Sequence, residues 1–545
     1  MPPKNSPPKK ASRKTKEILS YNPATGELLG RVPEDDLSLL GEKFAKAREA
    51  QKKWAALSFK ARAKYLYRMR DYLIEHAEEI AELIHKENGK TRMDALATEV
   101  IPAALAASWY AKNAEKVLKP QKLKTSSILF LNKKSEIHRV PYGIIGIISP
   151  WNYPLSIPFG EICMALMAGN AVMLKVSNEC ILVGKEIEKI INSAELPEGL
   201  FNHVVGSGSD VAKAFFEHKI DKIFFTGSVT TGKRLMAQAA QTLTPLSLEL
   251  GGKDPMIVLP DADLERATNA ALWAGLQNAG QSCGAVERIY VHEKIYDEFV
   301  KLLSLKVRHL RMGYDLDYET DLGSLTTMEQ LKIVQQQVKN ALRQGAKVAA
   351  QCEINKSTSK KGFFYPATVL LNVNHQMAIM REETFGPVLP IMKFHNLDEA
   401  IQLANDSSMG LTSSIFTRDL ELAKRIALRL ETGVTTINDH LYTHGLSETP
   451  WGGFKESGIG RTHSALGLEE MTQCKLINYD LLNPRRNMWW YPFSKKTYEA
   501  HLAALRFLYP RNILEWFYSI RKLVPYMLGK MFTPFIPKNH LRHGK

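Results

Sequence analysis

Cysteine is scarce and unpatterned: five residues in 545, at positions 163, 180, 283, 352 and 474, with no C-x-x-C pair. Such spacing speaks against a disulfide framework and a zinc site, and fits a reducing, cytoplasmic setting. No run reaches the roughly 18 uncharged apolar residues that a spanning helix needs. The N-terminus lacks the apolar core of a secretory signal. Position 2 is Pro2, where myristoylation would need glycine, and no C-terminal prenylation box is found. Acidic residues are missing from positions 1–16, where Lys4, Lys9, Lys10, Arg13, Lys14 and Lys16 stand unopposed. They are nearly missing from 485–545, where twelve basic residues meet only Glu499 and Glu515. These two ends contribute +6 and +10 to the formal charge of +15, which leaves the body between them close to neutral.

What is present is an ordinary globular composition, 45% hydrophobic and 24% charged, in a chain long enough for two or three domains. Residues 1–16, with four prolines and six bases, are expected to be disordered. Between Asp35 and Lys116, Leu66, Met69, Leu73 and Ile74 recur at helical spacing, as do Ile80, Leu83 and Ile84. From Val140 the pattern turns to short apolar strands joined by helical connections: Gly143–Ile148, Ala171–Lys175 and Lys222–Phe225. A second such rhythm starts near Asp254 and runs through Arg288–Val291 and Val388–Met392 to Thr435–Asn438. The alternation predicts an α/β fold with a parallel, doubly wound sheet.

The chemistry concentrates between Leu248 and Cys283. Leu248-Glu249-Leu250-Gly251-Gly252-Lys253 sets a carboxylate in a glycine-bounded turn, and Asn278-Ala279-Gly280-Gln281-Ser282-Cys283-Gly284 sets a thiol among small residues. A thiol is the most nucleophilic side chain near neutral pH, and a carboxylate can draw the proton from it or from water. Gly227-Ser228, with Gly232 further on, follows a buried strand and opens a helix. Free N–H groups and the dipole at such a helix start favour a phosphate.

Together with Pro150-Trp151-Asn152-Tyr153-Pro154, Phe225–Gly232 and Glu383-Thr384-Phe385-Gly386-Pro387, these blocks resemble the aldehyde dehydrogenase superfamily over about Glu17 to Asp480. The resemblance implies a Rossmann-type cofactor domain at 17–116 and 140–249 and an α/β catalytic domain at 250–451. It also implies a β-strand oligomerisation arm at 117–139 and 465–482, building a homodimer or homotetramer. The implied reaction oxidises an aldehyde to its carboxylic acid with NAD or NADP, through a thiohemiacetal and a thioester on Cys283, and requires no metal. Glu249 resembles the base that activates water against the thioester. Asn152 resembles the side-chain donor to the oxyanion, with the Cys283 N–H as its companion. Trp151, Lys175, Gly227, Ser228, Gly232, Glu383 and Phe385 match cofactor-holding positions: Lys175 at the adenosine ribose, Glu383 at the nicotinamide ribose, Phe385 on the ring.

Two positions depart from the family's pattern. The third residue after the lysine is often Glu, whose carboxylate binds the ribose hydroxyls and repels a 2′-phosphate; here Val176-Ser177-Asn178 precedes Glu179. With Asn178 in that place NADP use is expected beside NAD; with Glu179 turned in, NAD is preferred. After the nucleophile, Glu287 is expected to pair with Arg288 or a neighbour.

Residues 485–545 lie beyond the family's usual end. Trp489-Trp490-Tyr491 beside Arg485, Arg486, Lys495 and Lys496 has the composition of a lipid headgroup boundary. Ile513, Trp516, Phe517, Ile520, Leu523 and Val524 recur at helical spacing, Arg511, Glu515, Ser519 and Lys522 fall toward the other face, and Pro525 is expected to end the helix. The extension reads as a basic amphipathic segment lying on an anionic membrane surface, peripheral and not spanning. Aligned apolar residues suit lipid and not nucleic acid. The expected substrate is then an apolar, fatty or isoprenoid aldehyde. The alternative is a soluble semialdehyde dehydrogenase of the succinate-semialdehyde type whose tail packs on its own enzyme body. A carboxylated substrate would want an arginine, and Tyr153–Met167 contains none.

Overall fold

The computed structural model describes residues 16–355 and 361–533; the segment 1–16, expected to be disordered, lies outside them except for Lys16, and so do Phe535 and Ile536. The chain divides into two units, residues 1–118 with 140–473 and residues 119–139 with 474–545.

In the first unit one sheet is built from β1 (Ile144–Ile148), β2 (Ala171–Lys175), β3 (Phe201–His203), β4 (Lys222–Thr226) and β5 (Leu246–Glu249). They lie parallel in the order β5-β4-β1-β2-β3, with the short antiparallel strand Gly458–Ile459 against β5. Residues of β1, β2 and β4 are buried throughout, as a parallel sheet under crossover helices requires. Successive strands are added on one side of β1 and then on the other. The C-terminal ends of β1, β2, β4 and β5 therefore open on one crevice. Helix α1 (Ile101–Leu118) packs on α2 (Ser156–Ala168), which is buried from Pro158 onward, and α3 (Val229–Ala239) opens directly after β4.

The second sheet has β6 (Asp254–Val258) and β7 (Val286–His292) at its centre. Its order is Lys347–Gln351, Thr368–Leu371, Val388–Phe394, β7, β6, Thr412–Phe416, Val434–Ile437. Only the first pair is antiparallel. The two-rhythm α/β architecture is the one the strand pattern predicts.

The second unit holds a three-stranded sheet in the order Thr472–Asp480, Lys133–Pro141, Gln121–Leu123. Its last segment begins later than the expected 465. Helix Ser464–Glu470 belongs to the first unit, where Leu468 and Met471 join the core and the helix packs on α1 and α2.

The extension forms a helical hairpin, α4 (Lys495–Leu508) and α5 (Ile513–Phe532). Ser494 and Thr497 cap α4 reciprocally, and Asn512 caps α5 by accepting from Glu515 N. Met488, Ala503, Ala504 and Leu523 form a small core joined by Leu129 and Trp489. The tail thus packs on the arm's own chain, and the Trp489 ring stands 5.3 Å from that of Phe130.

Two expectations for α5 are corrected. Pro525 lies inside the helix and does not end it. An interior proline costs about 3 kcal/mol, but the following turns are held from outside. Tyr526 Oη donates to Thr497 Oγ1 at 2.6 Å, and Lys530 Nζ donates to the Met488 and Trp490 carbonyls. Ser519 is not on a solvated face: it is buried with Leu523, its Oγ donating to the Glu515 carbonyl at 2.7 Å. Ile513, Leu514, Phe517, Val524, Leu528 and Phe532 remain exposed. Among the described residues, no helix is long and apolar enough to cross a membrane.

Candidate active site

Four strand ends deliver side chains to the crevice. Beyond β1 the chain turns through Trp151 and Asn152, β2 ends in Lys175, β4 runs into Gly227 and Ser228, and β5 ends in Glu249. With Asn178, Cys283, Glu383 and Phe385 they line a cavity of about 620 Å³. Gly232 is the one sequence-predicted residue not among the lining. It is buried in α3, where a Cβ would come within 2.8 Å of the Leu250 side chain, so its role is to let the helix close on the turn after β5.

The far end of the cavity suits a dinucleotide. Ser228 caps α3 by accepting from Thr231 N, which sets the helix's first turn of N–H groups at the cavity's edge. A Cβ at Gly208 would meet no protein atom within 4 Å, so this stretch of wall stays open. Lys175 Nζ donates to the Val176 carbonyl and to Asn178 Oδ1, and burial pulls its pKa down to about 8. Asn178 lines this cavity, whereas Glu179 lines a neighbouring groove with Ser20 and Glu87. Of the two, it is the uncharged residue that faces this cavity.

At the near end, Cys283 follows a strained turn. Asn278 and Ala279 have φ of 53° and 54°, in the left-handed region, at a cost of about 1–2 kcal/mol each. The turn is locked by Asn278 Nδ2, which donates to the Asn152 carbonyl at 2.9 Å, and by Gln281 Oε1, which accepts from Thr326 N at 2.9 Å. Asn152 Nδ2 donates one hydrogen to the Gln281 carbonyl at 3.1 Å and carries a second. Burial, reinforced by the Glu383, Asp254 and Glu249 carboxylates, holds the Cys283 thiol well above its ordinary pKa. Glu249 is 5% exposed, and neither carboxylate oxygen has a hydrogen-bond partner. Burial pushes it well above the carboxylate range, with Arg461 opposing and Glu161 and Glu470 reinforcing. Gly452, at φ 147°, is needed here, since a Cβ would lie 3.0 Å from Glu249 Oε1. Glu383 accepts from Gly252 N at 3.1 Å and is pushed up to about 8, chiefly by burial.

Sequence reasoning left Glu287 without a role. In β7 it reaches the loop that carries Glu383 and Phe385. Its carboxylate accepts from Thr384 N and Phe385 N, each at 2.8 Å, and from Lys253 Nζ at 2.6 Å. Its partner is Lys253; Arg288 instead donates to the Lys253, Leu403 and Ala404 carbonyls. The signal was two adjacent charges inside an otherwise apolar strand, Val286-Glu287-Arg288-Ile289.

The sequence pattern of the aldehyde dehydrogenase family matches residues 10–477. The chain belongs to the aldehyde dehydrogenase family. It is 38% identical over 494 residues to a 4,4'-diapolycopene aldehyde oxidase of Methylomonas sp, covering 90% of this chain and 91% of that one. It is 36% identical to a putative NADP-dependent succinate-semialdehyde dehydrogenase of Mycolicibacterium smegmatis, over 83% and 87% of the two chains. Among solved structures it resembles the NAD complex of a Bacillus cereus aldehyde dehydrogenase, with a TM-score of 0.81, 33% identity, and 86% and 94% of the chains covered. As an aldehyde dehydrogenase it is an oxidoreductase that uses NAD or NADP.

Glu287→Gln should weaken cofactor binding in this aldehyde dehydrogenase and lower stability, because it leaves buried Lys253 facing a neutral amide. Breaking a buried pair costs about 3–5 kcal/mol. The readouts are KM for NAD(P) and the melting temperature, and the Lys253→Met/Glu287→Leu double variant should recover stability without recovering KM.

Proposed function

We propose that this enzyme oxidises long apolar aldehydes at an anionic membrane surface, with Cys283 as nucleophile and Glu249 as base. Glu249 draws the thiol proton, and the thiolate adds to the carbonyl carbon to give a thiohemiacetal. Its oxyanion accepts from the free Asn152 Nδ2–H and the Cys283 N–H. Trp151, Lys175, Asn178, Gly227, Ser228, Glu383 and Phe385 would hold NAD(P), which would supply the two-electron oxidant that turns the thiohemiacetal into a thioester. Once Glu249 has released the thiol proton to solvent, it takes a proton from water, whose oxygen adds to the thioester carbon. The C–S bond breaks, the acid leaves and the thiol is restored.

The observation that carries the substrate class is a second, narrow cavity of about 60 Å³ that includes Cys283 and Glu249 in its walls. Tyr153, Ile157 and Trp451 line it, with no lysine or arginine among the described residues. Its histidines, His444 and His463, are driven toward the neutral form by burial, His463 down to about 4. The carboxylate of a semialdehyde would be desolvated there without a partner, which costs several kcal/mol. An alkyl chain meets no such penalty.

The tail supports the membrane half of the reading. Six large apolar side chains of α5, from Ile513 to Phe532, stay exposed, beside Arg511, Arg521 and Lys522. Each base near an anionic leaflet contributes about 1 kcal/mol. In the arm's sheet, Leu123, Leu476, Ile477 and Tyr479 are also exposed, which supports a homodimer or homotetramer built through it.

Cys283→Ala should abolish turnover while cofactor binding persists, and near-normal turnover would remove Cys283 from its role. Glu249→Gln should slow steady-state turnover about 10²–10⁴-fold. A base must be ionised, and burial raises the Glu249 pKa, so wild-type turnover should climb from neutral into alkaline pH while the variant's profile flattens.

Measurable NADP⁺ use should accompany NAD⁺ use, and Asn178→Glu should raise the NAD⁺ preference by restoring a charge against the 2′-phosphate. Parallel kcat/KM measurements with both cofactors decide this, and equal selectivity in the two proteins would refute it.

The full chain should float with anionic liposomes, whereas Phe517→Glu/Leu528→Glu, which changes only exposed residues, should stay in the dense fraction. Equal behaviour of the two proteins would overturn the membrane reading.

A further inference from the structure

The narrow cavity runs beside two packed helices. From α2 it takes Ser156, Ile157, Gly160 and Glu161, and from α1 it takes Pro102, Ala106 and Tyr110 at one-turn intervals. Gly160 stands in the middle of α2, where glycine costs about 1 kcal/mol relative to alanine. Its φ is not in the left-handed region, so the backbone does not demand glycine.

Packing does not demand it either. A Cβ at the helical glycines Gly184, Gly275 and Gly467 would come within 2.5, 2.3 and 2.7 Å of Val176, Leu389 and Met164. Beyond its own helix backbone and chain neighbours, a Cβ at Gly160 would meet no protein atom within 4 Å, although the residue is buried. Space beside a buried mid-helix glycine, on the wall of the cavity that holds the nucleophile, is space reserved for a ligand. Glu161, the next residue along this wall, is buried without a partner for Oε2. Burial pushes its pKa up to about 8, so near neutral pH it is a largely uncharged neighbour to a hydrocarbon.

We infer that Gly160 sets the length of the aldehyde the enzyme accepts: its missing side chain leaves a path along α2 for the hydrocarbon beyond the first few carbons. This rests on the long-chain substrate reading above and assigns it to one residue. Filling the gap closes the path for a long unbranched aldehyde and leaves the reactive end, Cys283, Glu249 and Asn152, untouched. A short aldehyde, which occupies only that end, is unaffected.

The test uses the full chain as wild type, Gly160→Ala and Gly160→Leu, with propanal and detergent-dispersed dodecanal as substrates. In Gly160→Leu the dodecanal kcat/KM should fall at least about tenfold relative to propanal, the scale of a few misplaced methylenes in a pocket. Gly160→Ala should melt no lower than wild type, because it restores helix propensity in open space. A lowered melting temperature for Gly160→Ala, or an equal fall for both aldehydes in Gly160→Leu, would show a structural role and overturn the inference. A wild type that oxidises propanal but not dodecanal sinks the long-chain reading and this inference with it. A wild type that takes dodecanal, with an unchanged ratio in Gly160→Leu, sinks the Gly160 assignment alone.

Discussion

Desolvation of a carboxylate is the constraint on which this site depends. Glu249 ends a strand in the interior with both oxygens unpartnered, next to a thiol that burial also keeps protonated. Unpaired buried polar groups cost about 1–3 kcal/mol each and far more if charged, so the resting site favours neutral forms. A carboxyl held that way is a stronger base once ionised than any exposed one. One nearby cation works against that: Arg461 pulls the Glu249 pKa down, while Glu161 and Glu470 push it further up.

A crevice of this kind needs rigid walls, and the parallel sheet provides them. Residues of β1, β2 and β4 are buried throughout, so the residues at their C-terminal ends inherit positions fixed by the core. Cys283 lacks such a strand. Its place is set by a turn with two non-glycine residues at positive φ, held by bonds from Asn278 and Gln281 to segments distant in sequence. The strain is local and the bonds that hold it are not, as expected where geometry matters more than stability. Glu287 plays the same part at the other end of the reaction centre, gathering two backbone N–H groups and a lysine to pin the loop of Glu383 and Phe385.

How much could be read beforehand follows from how local each feature is. The strand-helix rhythm was legible because it lies in contiguous runs, and Cys283, Glu249, Lys175 and the Gly227-Ser228 turn, which meet at one cavity, stood out because each lies in a short block of distinctive residues. Glu287 was not, because its partners Lys253 and Thr384 sit 34 and 97 positions away. Gly232 belonged to a recognised block yet faces Leu250 and not the cavity, a matter of helix orientation that spacing alone does not settle. Pro525 misled for a related reason: propensity ends a helix there, and tertiary bonds from Tyr526 and Lys530 carry it through. Gly160 had no signal at all, since a glycine in an apolar helix acquires meaning only when the space beside it is known to be empty.

The tail and the pocket are linked by solubility. A cavity without cations discards ionic recognition and depends on hydrocarbon burial, about 0.8 kcal/mol per methylene. Each methylene that improves binding lowers the aldehyde's aqueous concentration by a similar factor, so a soluble enzyme gains little from a longer chain. On the proposed reading, residence at a lipid surface removes that cancellation, because the enzyme would meet the substrate where it has already partitioned. The charge distribution fits this division of labour: the body is close to neutral, and the excess lies at the ends of the chain, +10 of it in 485–545. Within that segment α5 turns Leu523 and Ser519 inward and leaves Phe517, Val524 and Leu528 outside. A helix already satisfied on its inner face does not need six exposed apolar residues for folding, and on the proposed membrane reading they are the face that meets lipid.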